Sequence, residues 1–299
     1  MNNKLKIVLL IILLILVLFA SIVIYKNITQ KPEEENDNFK IVTTFYPIYI
    51  MTENITEGAK NIELVNMTDT NVGCLHDYTL STSDMKKIEK ADVIIQNGLG
   101  LENFMSKILT TYSNITIIDS STNITNKIEE NGEVNGHIWT SLTNYIYQVE
   151  EITNQLSIAN PENASIYVAN KEKYINKLQE LQKKYTEQLE NLQGKKAICL
   201  NEAIPYLAKE VELEIISVET DHEESSLSAE TMKNLINQMK QENITAILVD
   251  SEDNIQSAQT LANETGAKIY QLKSGLTGSM DKDAYLQAME ENLRKLKEI

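Results

Sequence analysis

Cysteine and histidine are both scarce in this sequence, which has two cysteines, Cys74 and Cys199, and three histidines among 299 residues. Two cysteines allow at most one disulfide, and the sequence leaves open whether they pair. No CxxC pair and no HExxH motif occurs. The local metal signatures that such motifs provide are therefore absent. Any metal site has to be assembled from residues that lie far apart in the chain.

Motifs for enzyme chemistry are also missing. The sequence has no GxSxG, no phosphate-binding glycine loop and no GxGxxG. The stretch NGLGLENF has glycines two residues apart after a predicted strand, but it lacks the rest of the dinucleotide fingerprint. Nothing specific supports catalysis by a cysteine and histidine pair. We therefore predict a protein that is not an enzyme and carries no organic cofactor.

Positive charge is in deficit. The chain has 27 lysines and arginines against 43 aspartates and glutamates, which gives a net charge of −16. A surface of this sign repels nucleic acid and anionic lipid headgroups, so we exclude nucleic acid as a partner. The acidic excess is compatible with a protein that handles cations.

Only one long apolar run is present, Ile7–Tyr25, and Ser21 is its one internal polar residue. As a helix it would span about 28 Å, close to one hydrocarbon core. Lys4 and Lys6 precede it, which favours an N-terminus in the cytoplasm. No cysteine follows the run closely, as a lipoprotein would require. A transmembrane signal anchor over residues 1–26 is favoured over a cleaved signal peptide, with the rest of the chain outside the cell membrane.

The remaining chain has the pattern of two α/β lobes. Residues 27–39 are polar and aperiodic, which predicts a flexible linker. Short β-branched strands then alternate with helices over residues 40–158 and again over residues 195–299. This alternation predicts two similar α/β lobes with largely parallel sheets.

The longest periodic segment, residues 159–194, lies between the two lobes. Asn160 can cap a helix there, Pro161 suits the first helical position, and Gly194 ends the pattern. A single helix of about 33 residues would span about 50 Å, which is long enough to bridge two lobes. A coiled-coil arm is the alternative, but the apolar stripe is irregular for a sustained heptad.

The three histidines occur where loops meet regular elements. His76 lies in GCLHDY, in a turn after a strand, and His137 lies in NGHIW, where a loop meets a helix. His222 follows a strand of the second lobe, and Asn201 with Glu202 follows another. Ligands of such sheets bind beyond the carboxyl ends of the strands, and imidazole suits zinc and other first-row metals. The spacing of the three histidines along the chain is, by itself, weak evidence for a metal site.

Several stretches are shared with a known family. They are IVTTFYPIY, GCLHDYTLSTSDMKKIEKADVIIQNGLGLENF, GHIWTSLTNYIYQV, NEAIPYLAKEVEL and YLQAMEENLRKL, together with the long helix. Over residues 40–299 the chain resembles the metal-binding receptors of zinc and manganese ABC importers, of the zinc-uptake and surface-adhesin type. The HDY block followed by ADVIIQNG, with HIW further on, is the specific part of the resemblance.

The resemblance implies a zinc or manganese ion between the lobes, carried as a transported ligand to the permease and ATPase of an ABC importer. It also implies four protein ligands. His76 matches the histidine of HDY, and His137 matches the histidine of H-x-W. At the third position the chain has Asn201 with Glu202 beside it, and at the fourth it has Lys273 instead of an aspartate. We expect the receptor to be a monomer.

These departures leave two interpretations open. An asparagine oxygen is a weak ligand, and a lysine repels a dication. Either other groups complete the site, or the chain is a degenerate member without tight metal binding, a receptor for another solute or a surface interaction protein. In the first case the third ligand is either His222, which also fits an exposed acidic capping loop, or a group at the helix start with Asn201 and Glu202. Lys273 is then expected to be neutralised by Glu202 or Asp250.

Overall fold

The computed structural model divides the chain into two units, Met1–Asn38 and Phe39–Ile299. In the first unit residues 15–21 are helical. None of the helices in the described part of the chain is long and apolar enough to cross a bilayer. Most of the predicted anchor, residues 1–26, lies outside that part. The described residues are 15–21, 38–70, 75, 78–106, 108, 112, 114–130, 132–218 and 227–299.

Four parallel strands form the sheet of the first lobe. They are β1 (Phe39–Thr43), β2 (Ile62–Asn66), β3 (Val93–Gln96) and β4 (Thr116–Asp119). Their order across the sheet is β2-β1-β3-β4. Helices α1 (Tyr46–Thr56) and α2 (Thr82–Ile88) follow β1 and β2. Helix α2 begins with a capping box, in which Ser81 Oγ accepts from Asp84 N and the Asp84 carboxylate accepts from Ser81 N.

A short hairpin and a tight turn complete the first lobe. Strands β5 (Glu129–Glu130) and β6 (Glu133–Val134) pair antiparallel. A 3-10 turn, Ile138–Thr140, then leads into helix α3 (Leu142–Ala159). Ser141 ends the turn and caps α3, because its Oγ accepts from Asn144 N at 3.2 Å.

The bridging helix is shorter than predicted. Helix α4 (Ala164–Gln188) has 25 residues, and 3-10 turns at Pro161–Asn163 and Glu190–Leu192 flank it. Asn163 and Leu189 have backbone angles of −100°, 1° and −119°, 12°, which depart from α-helical values and end the regular helix on each side. The residues buried along its stripe are Tyr167, Tyr174, Ile175, Leu178, Leu181 and Tyr185.

The second lobe repeats the topology of the first. Its parallel strands are β7 (Lys196–Cys199), β8 (Glu214–Ser217), β9 (Ala246–Asp250) and β10 (Lys268–Leu272). They lie in the order β10-β9-β7-β8, which is the order of the first sheet read from the other side. The helices are α5 (Pro205–Glu210), α6 (Ala229–Glu242), α7 (Gln256–Thr265) and α8 (Ala284–Leu296). The predicted pair of similar α/β lobes with parallel sheets is confirmed.

Helix α4 packs against both lobes. It contacts α1 and α3 of the first lobe and α8 of the second. Beside it the rings of Tyr145 on α3 and Tyr285 on α8 stack at 3.6 Å with an interplanar angle of 10°. The hydroxyl groups of Tyr145 and Tyr174 are 2.9 Å apart. An aromatic cluster shared by three helices therefore connects the lobes.

A buried carboxylate lies beyond the carboxyl ends of β1 and β3. Glu102 is 6% exposed, and its oxygens accept from Thr44 Oγ1 at 2.8 Å, Asn97 N at 2.7 Å and Gly98 N at 3.0 Å. Burial raises the pKa of this carboxyl from an ordinary 4.5 to about 7, although the three donors favour its charged form. Charging Glu102 therefore works against the folded state.

We expect the free energy of unfolding of the full chain to fall as pH rises from about 5 to about 8, because the folded state holds the Glu102 proton more tightly than the unfolded state does. The loss is complete above the folded pKa. A shift from 4.5 to about 7 bounds this contribution at roughly 3 kcal/mol. Glu102→Gln cannot ionise and should flatten the slope, as measured by urea denaturation.

Glu264→Gln, at an exposed position on α7, is the matched control and should keep the slope of the parent. Glu102→Gln should also be less stable than the parent at about pH 5, because an amide donor replaces one acceptor oxygen. Identical slopes in the parent and Glu102→Gln would contradict the assignment.

Candidate metal centre

His137 is held in one orientation by its own loop. It directly precedes the 3-10 turn before α3 and is 2% exposed. Its Nδ1 lies 3.0 Å from Asn135 Oδ1, an acceptor, so Nδ1 carries the proton. In a neutral ring the lone pair is then on Nε2, which is the tautomer that binds a metal through Nε2. The ring also lies 5.1 Å from the Trp139 ring, which fills the space on one side.

Asn135 connects this histidine to the second lobe. Its Oδ1 accepts from the His137 backbone N at 2.9 Å, and its Nδ2 donates to the Glu202 carbonyl at 2.8 Å. Its own carbonyl accepts from the Tyr206 hydroxyl on α5 at 2.9 Å. The same side chain thus fixes the imidazole and the backbone of the residue opposite it. Sequence reasoning missed Asn135, although an amide two residues before a histidine is a detectable signal for such a local bond.

Glu202 is the residue of the second lobe that approaches His137. It lies between β7 and α5, and its Oε1 is 3.6 Å from His137 Nε2. Two ligand atoms about 2.1 Å from one zinc ion, at the tetrahedral angle, lie roughly 3.4 Å apart. The observed separation is therefore close to that of two ligands sharing one ion. In parallel α/β sheets this position, after the strand where the order reverses, is where ligands bind.

Asn201 is engaged in a different way. Its Nδ2 donates to Asp253 Oδ2 at 2.8 Å, and its Oδ1 accepts from Ala203 N at 2.8 Å. Both ends of the amide are thus committed within the second lobe. Asp253 follows β9, next to β7 in the sheet. Burial raises the pKa of Asp253, the bond from Asn201 acts against this, and the Asp250 carboxylate adds to the rise.

Lys273 is neutralised by a residue that we did not expect. Its Nζ lies 2.9 Å from Glu291 Oε2 on α8, so the prediction that Glu202 or Asp250 neutralises it is wrong. Bonds from Lys273 and Lys295 lower the pKa of Glu291. The physical reason is the packing of α8 against β10, since Asn292 bonds to the Lys273 backbone at both its N and its O.

Two further bonds cross from the His137 segment to the second lobe. Trp139 Nε1 donates to the Ser274 carbonyl at 3.0 Å, next to Lys273. The Tyr285 hydroxyl donates to the Trp139 carbonyl at 2.8 Å. Trp139 is fully buried, so these bonds are shielded from solvent. The turn that carries His137 is thus attached to β10 and α8.

The structure brings together some of the predicted site residues and leaves others undescribed. His137 and Glu202 meet, and Asn201 lies beside Glu202 in the chain. His76 and His222 lie outside the described residues, and so does Cys74. Within the described ranges there is no group of three or more histidine, cysteine or acidic side chains arranged to hold an ion. Of the predicted site residues, His137 and Glu202 are the two whose described side chains approach each other from opposite lobes.

Comparison with known proteins identifies the family. The profile described as zinc-uptake complex component A, periplasmic (ZnuA), matches residues 41–299. The chain belongs to this family. The resemblance that we noted in the HDY, HIW and NEAIPYLAKEVEL stretches is therefore confirmed.

Relatives of this ZnuA-family chain are named for two metals. Zinc-binding protein AdcA of Streptococcus pyogenes serotype M3 is 30% identical over 288 residues, which cover 86% of this chain and 55% of AdcA. Manganese-binding lipoprotein MntA of Halalkalibacterium halodurans is 26% identical over 269 residues, which cover 87% of this chain and 88% of MntA. The chain thus spans about half the length of the AdcA relatives.

A solved structure shares the fold. The crystal structure of the Zn(II)-bound ZnuA-like domain of Streptococcus pneumoniae AdcA superposes with a TM-score of 0.75 at 26% identity. The match covers 87% of this chain and 98% of that domain. Two α/β lobes with parallel sheets are therefore the architecture of this ZnuA-family chain as well.

Asn135→Ala should weaken metal binding by about tenfold, the size of effect typical of residues that orient a metal-binding histidine. The variant frees the His137 ring to change tautomer and removes the bond to the Glu202 carbonyl. Calorimetric titration of the metal-free full chain with zinc and with manganese measures it. Asn123→Ala, in the same lobe but bonded to Glu151, is the control. Unchanged affinity in Asn135→Ala would remove Asn135 from the site.

Proposed function

We propose that this chain is the extracytoplasmic solute-binding component of an ABC importer, which captures zinc or manganese and delivers it to a membrane permease. The metal ion is cargo, and the chain is not an enzyme. The approach of His137 Nε2 and Glu202 Oε1 from opposite lobes, at 3.6 Å, is the observation that carries the proposal. The names of the relatives, zinc-binding AdcA and manganese-binding MntA, support it.

The proposed ligand set combines this pair with His76. His137 and Glu202 supply one imidazole nitrogen and one carboxylate oxygen, and the HDY resemblance supplies His76. Glu202 is favoured over Asn201 as third ligand, because both ends of the Asn201 amide are hydrogen-bonded elsewhere. Two imidazoles and a carboxylate suit zinc, and water or a further oxygen ligand would complete a site that manganese also accepts.

The proposed location follows from the apolar run at the N-terminus. A helix over residues 1–26 would hold the two lobes on the outer side of the cell membrane, where a binding protein meets both the external metal and its permease. The partners are then the permease and ATPase of a metal importer, and the receptor works as a monomer. Protease accessibility of the lobes in intact cells would test the orientation.

The full chain, purified in detergent and stripped of metal, should bind one zinc or manganese ion with micromolar or tighter affinity in calorimetry. His137→Ala and Glu202→Gln should each weaken binding at least tenfold, because each removes a ligand. X-ray absorption of the zinc form should show nitrogen ligands at about 2.0–2.1 Å. The metal that binds with the higher affinity in calorimetry is the preferred cargo.

Two variants identify the third ligand. Asn201→Ala should have a smaller effect than Glu202→Gln, because it removes the bonds to Asp253 and to the Ala203 backbone but no proposed ligand. His222→Ala tests the alternative in which the loop after β8 supplies the ligand. Loss of binding in His222→Ala with full binding in Glu202→Gln would overturn the assignment of Glu202. A parent chain that binds neither metal would overturn the proposed function.

A second candidate function is a degenerate receptor without tight metal binding, and the observation that favours it is Lys273. Its side chain, 43% exposed, stands where the resemblance implies an aspartate, and its ammonium is paired with Glu291. The pairing reduces its repulsion of a dication but supplies no ligand. In that case the cleft would take another solute, or the chain would act as a surface interaction protein.

Lys273→Asp should tighten metal binding, because it removes a positive charge and restores the carboxylate of the family pattern. The variant also carries Glu291→Gln, so that the new aspartate carboxylate at position 273 does not face the Glu291 carboxylate. Lys273→Met is the control for charge removal alone and should give the smaller gain. Weaker binding in Lys273→Asp/Glu291→Gln than in the parent would show that the lysine has a positive role. Calorimetry with both metals makes the measurement.

A further inference from the structure

A carboxylate of the second lobe binds the start of a helix of the first lobe. Glu210, half-buried at the end of α5, accepts from Ser141 Oγ at 2.5 Å and from Thr143 Oγ1 at 2.7 Å. Thr143 N is 3.4 Å from the same carboxylate, and Ser141 caps α3. An anion at the N-terminus of an 18-residue helix is favoured by the helix dipole as well as by these donors.

The bridging helix joins the same contact. Gln182 on α4 donates through Nε2 to Glu210 Oε1 at 3.1 Å and to Thr143 Oγ1 at 2.6 Å. Both oxygens of Glu210 are therefore used, and every donor comes from the first lobe or from α4. Charge-assisted bonds of this kind are shorter and stronger than bonds between neutral groups.

The contact lies between the two segments that carry the candidate ligands. His137 is four residues before Ser141, with only the 3-10 turn between them. Glu202 is eight residues before Glu210, which is the last residue of α5. Both connections are short and mostly helical. A change in the position of Glu210 relative to Ser141 is therefore passed directly to the gap between His137 and Glu202.

We propose that Glu210 is a positioning residue of the metal centre, which sets the gap between His137 and Glu202 by tying α5 to the start of α3 and to α4. The inference rests on the proposed function. Glu210 touches no ligand atom of the ion, and it acts through the two segments that it connects. A loss of this tie leaves the ligands in place but lowers the fraction of molecules in which they are correctly spaced.

A purely structural role would give a different result from a positioning role. If Glu210 only stabilised the fold, its loss would lower the melting temperature of the metal-free chain and leave the affinity of the folded molecules unchanged. If it positions the ligands, affinity falls at temperatures where the metal-free chain is fully folded. A third case is that the variant costs the ion one of its ligands. The absorption spectrum of bound Co²⁺ identifies this case, because the loss of a ligand changes the spectrum and looser positioning of the same ligands does not.

The test uses the full chain in detergent, with Glu210→Gln as the main variant. We expect zinc affinity to fall by about tenfold in calorimetry, as for other residues outside the ligand shell that orient ligands. The cobalt spectrum should keep the form of the parent, whereas His137→Ala should change it. Glu212→Gln is the matched control, since it removes the same charge two residues away, at an exposed position bonded to Gln193. It should bind zinc as the parent does.

A milder variant keeps the proposal testable if Glu210→Gln does not fold. Thr143→Val removes one donor from the other side of the contact, and we expect about a threefold loss of affinity. In the double variant the losses should not add, because both changes break one contact. Parent affinity in Glu210→Gln and in Thr143→Val, with the parent binding zinc, would overturn this inference and leave the proposed function intact. Absence of zinc binding in the parent would overturn both.

Discussion

The distance between the two lobes at His137 and Glu202 is the constraint on which the candidate centre depends. Among the described residues the two sheets share no strand, and α4 is the covalent connection that packs on both lobes. Side chains that cross the interface beside the candidate ligands add to the contacts that α4 makes with both lobes. Asn135, Trp139 and Glu210 make such bonds, each within eight residues of His137 or Glu202 in the chain. A single hydrogen bond contributes about 1 kcal/mol net to stability. The combined effect of these three residues on the distance between His137 and Glu202 therefore matters more than the strength of any one bond.

Electrostatics at the ends of the second-lobe strands favours a cation. Glu202 follows β7, and Asp250 and Asp253 lie at and after the end of the neighbouring strand β9. Burial raises the pKa of Asp253. Carboxylates drawn together in a poorly solvated place repel one another, and a bound dication relieves this repulsion. His137 adds an imidazole nitrogen that is withdrawn from solvent. The site thus combines donors that a transition metal accepts with a field that attracts it.

The sequence was sufficient for the features that depend on local pattern. Alternating strands and helices predicted two parallel α/β lobes, and helical periodicity predicted a helix between them. The resemblance in the H-x-W motif implied His137 as a metal ligand, which stays a prediction. The ends of α4 were misplaced, because Asn163 and Leu189 leave the helical region of backbone angles without a glycine or an internal proline to mark the change. Local pattern carries no information about such tertiary adjustments at helix ends.

The details of the site depended on long-range packing and were not predictable in the same way. Asn201 and Glu202 are neighbours in a turn, and only the bond between Asn201 and Asp253, 52 residues away, shows which of them is committed elsewhere. The partner of Lys273 is Glu291 because α8 packs on β10, and spacing along the chain gives no indication of that contact. The tie between Glu210 and the start of α3 likewise joins residues 69 positions apart.

The presence of Lys273, where the resemblance implies an aspartate ligand, bears on how such a centre would release its metal ion. Under the proposed function Glu202 is the one carboxylate in direct contact with the ion, and Asp253 acts from behind Asn201, one hydrogen bond further away. A dication there keeps more of its positive charge than it would between two carboxylate ligands, and water fills the open position. An open position of this kind is where an incoming ligand attacks a metal ion. A receptor has to pass its ion on, so the weaker fourth position is compatible with transport, provided that the gap between His137 and Glu202 is held by the protein itself.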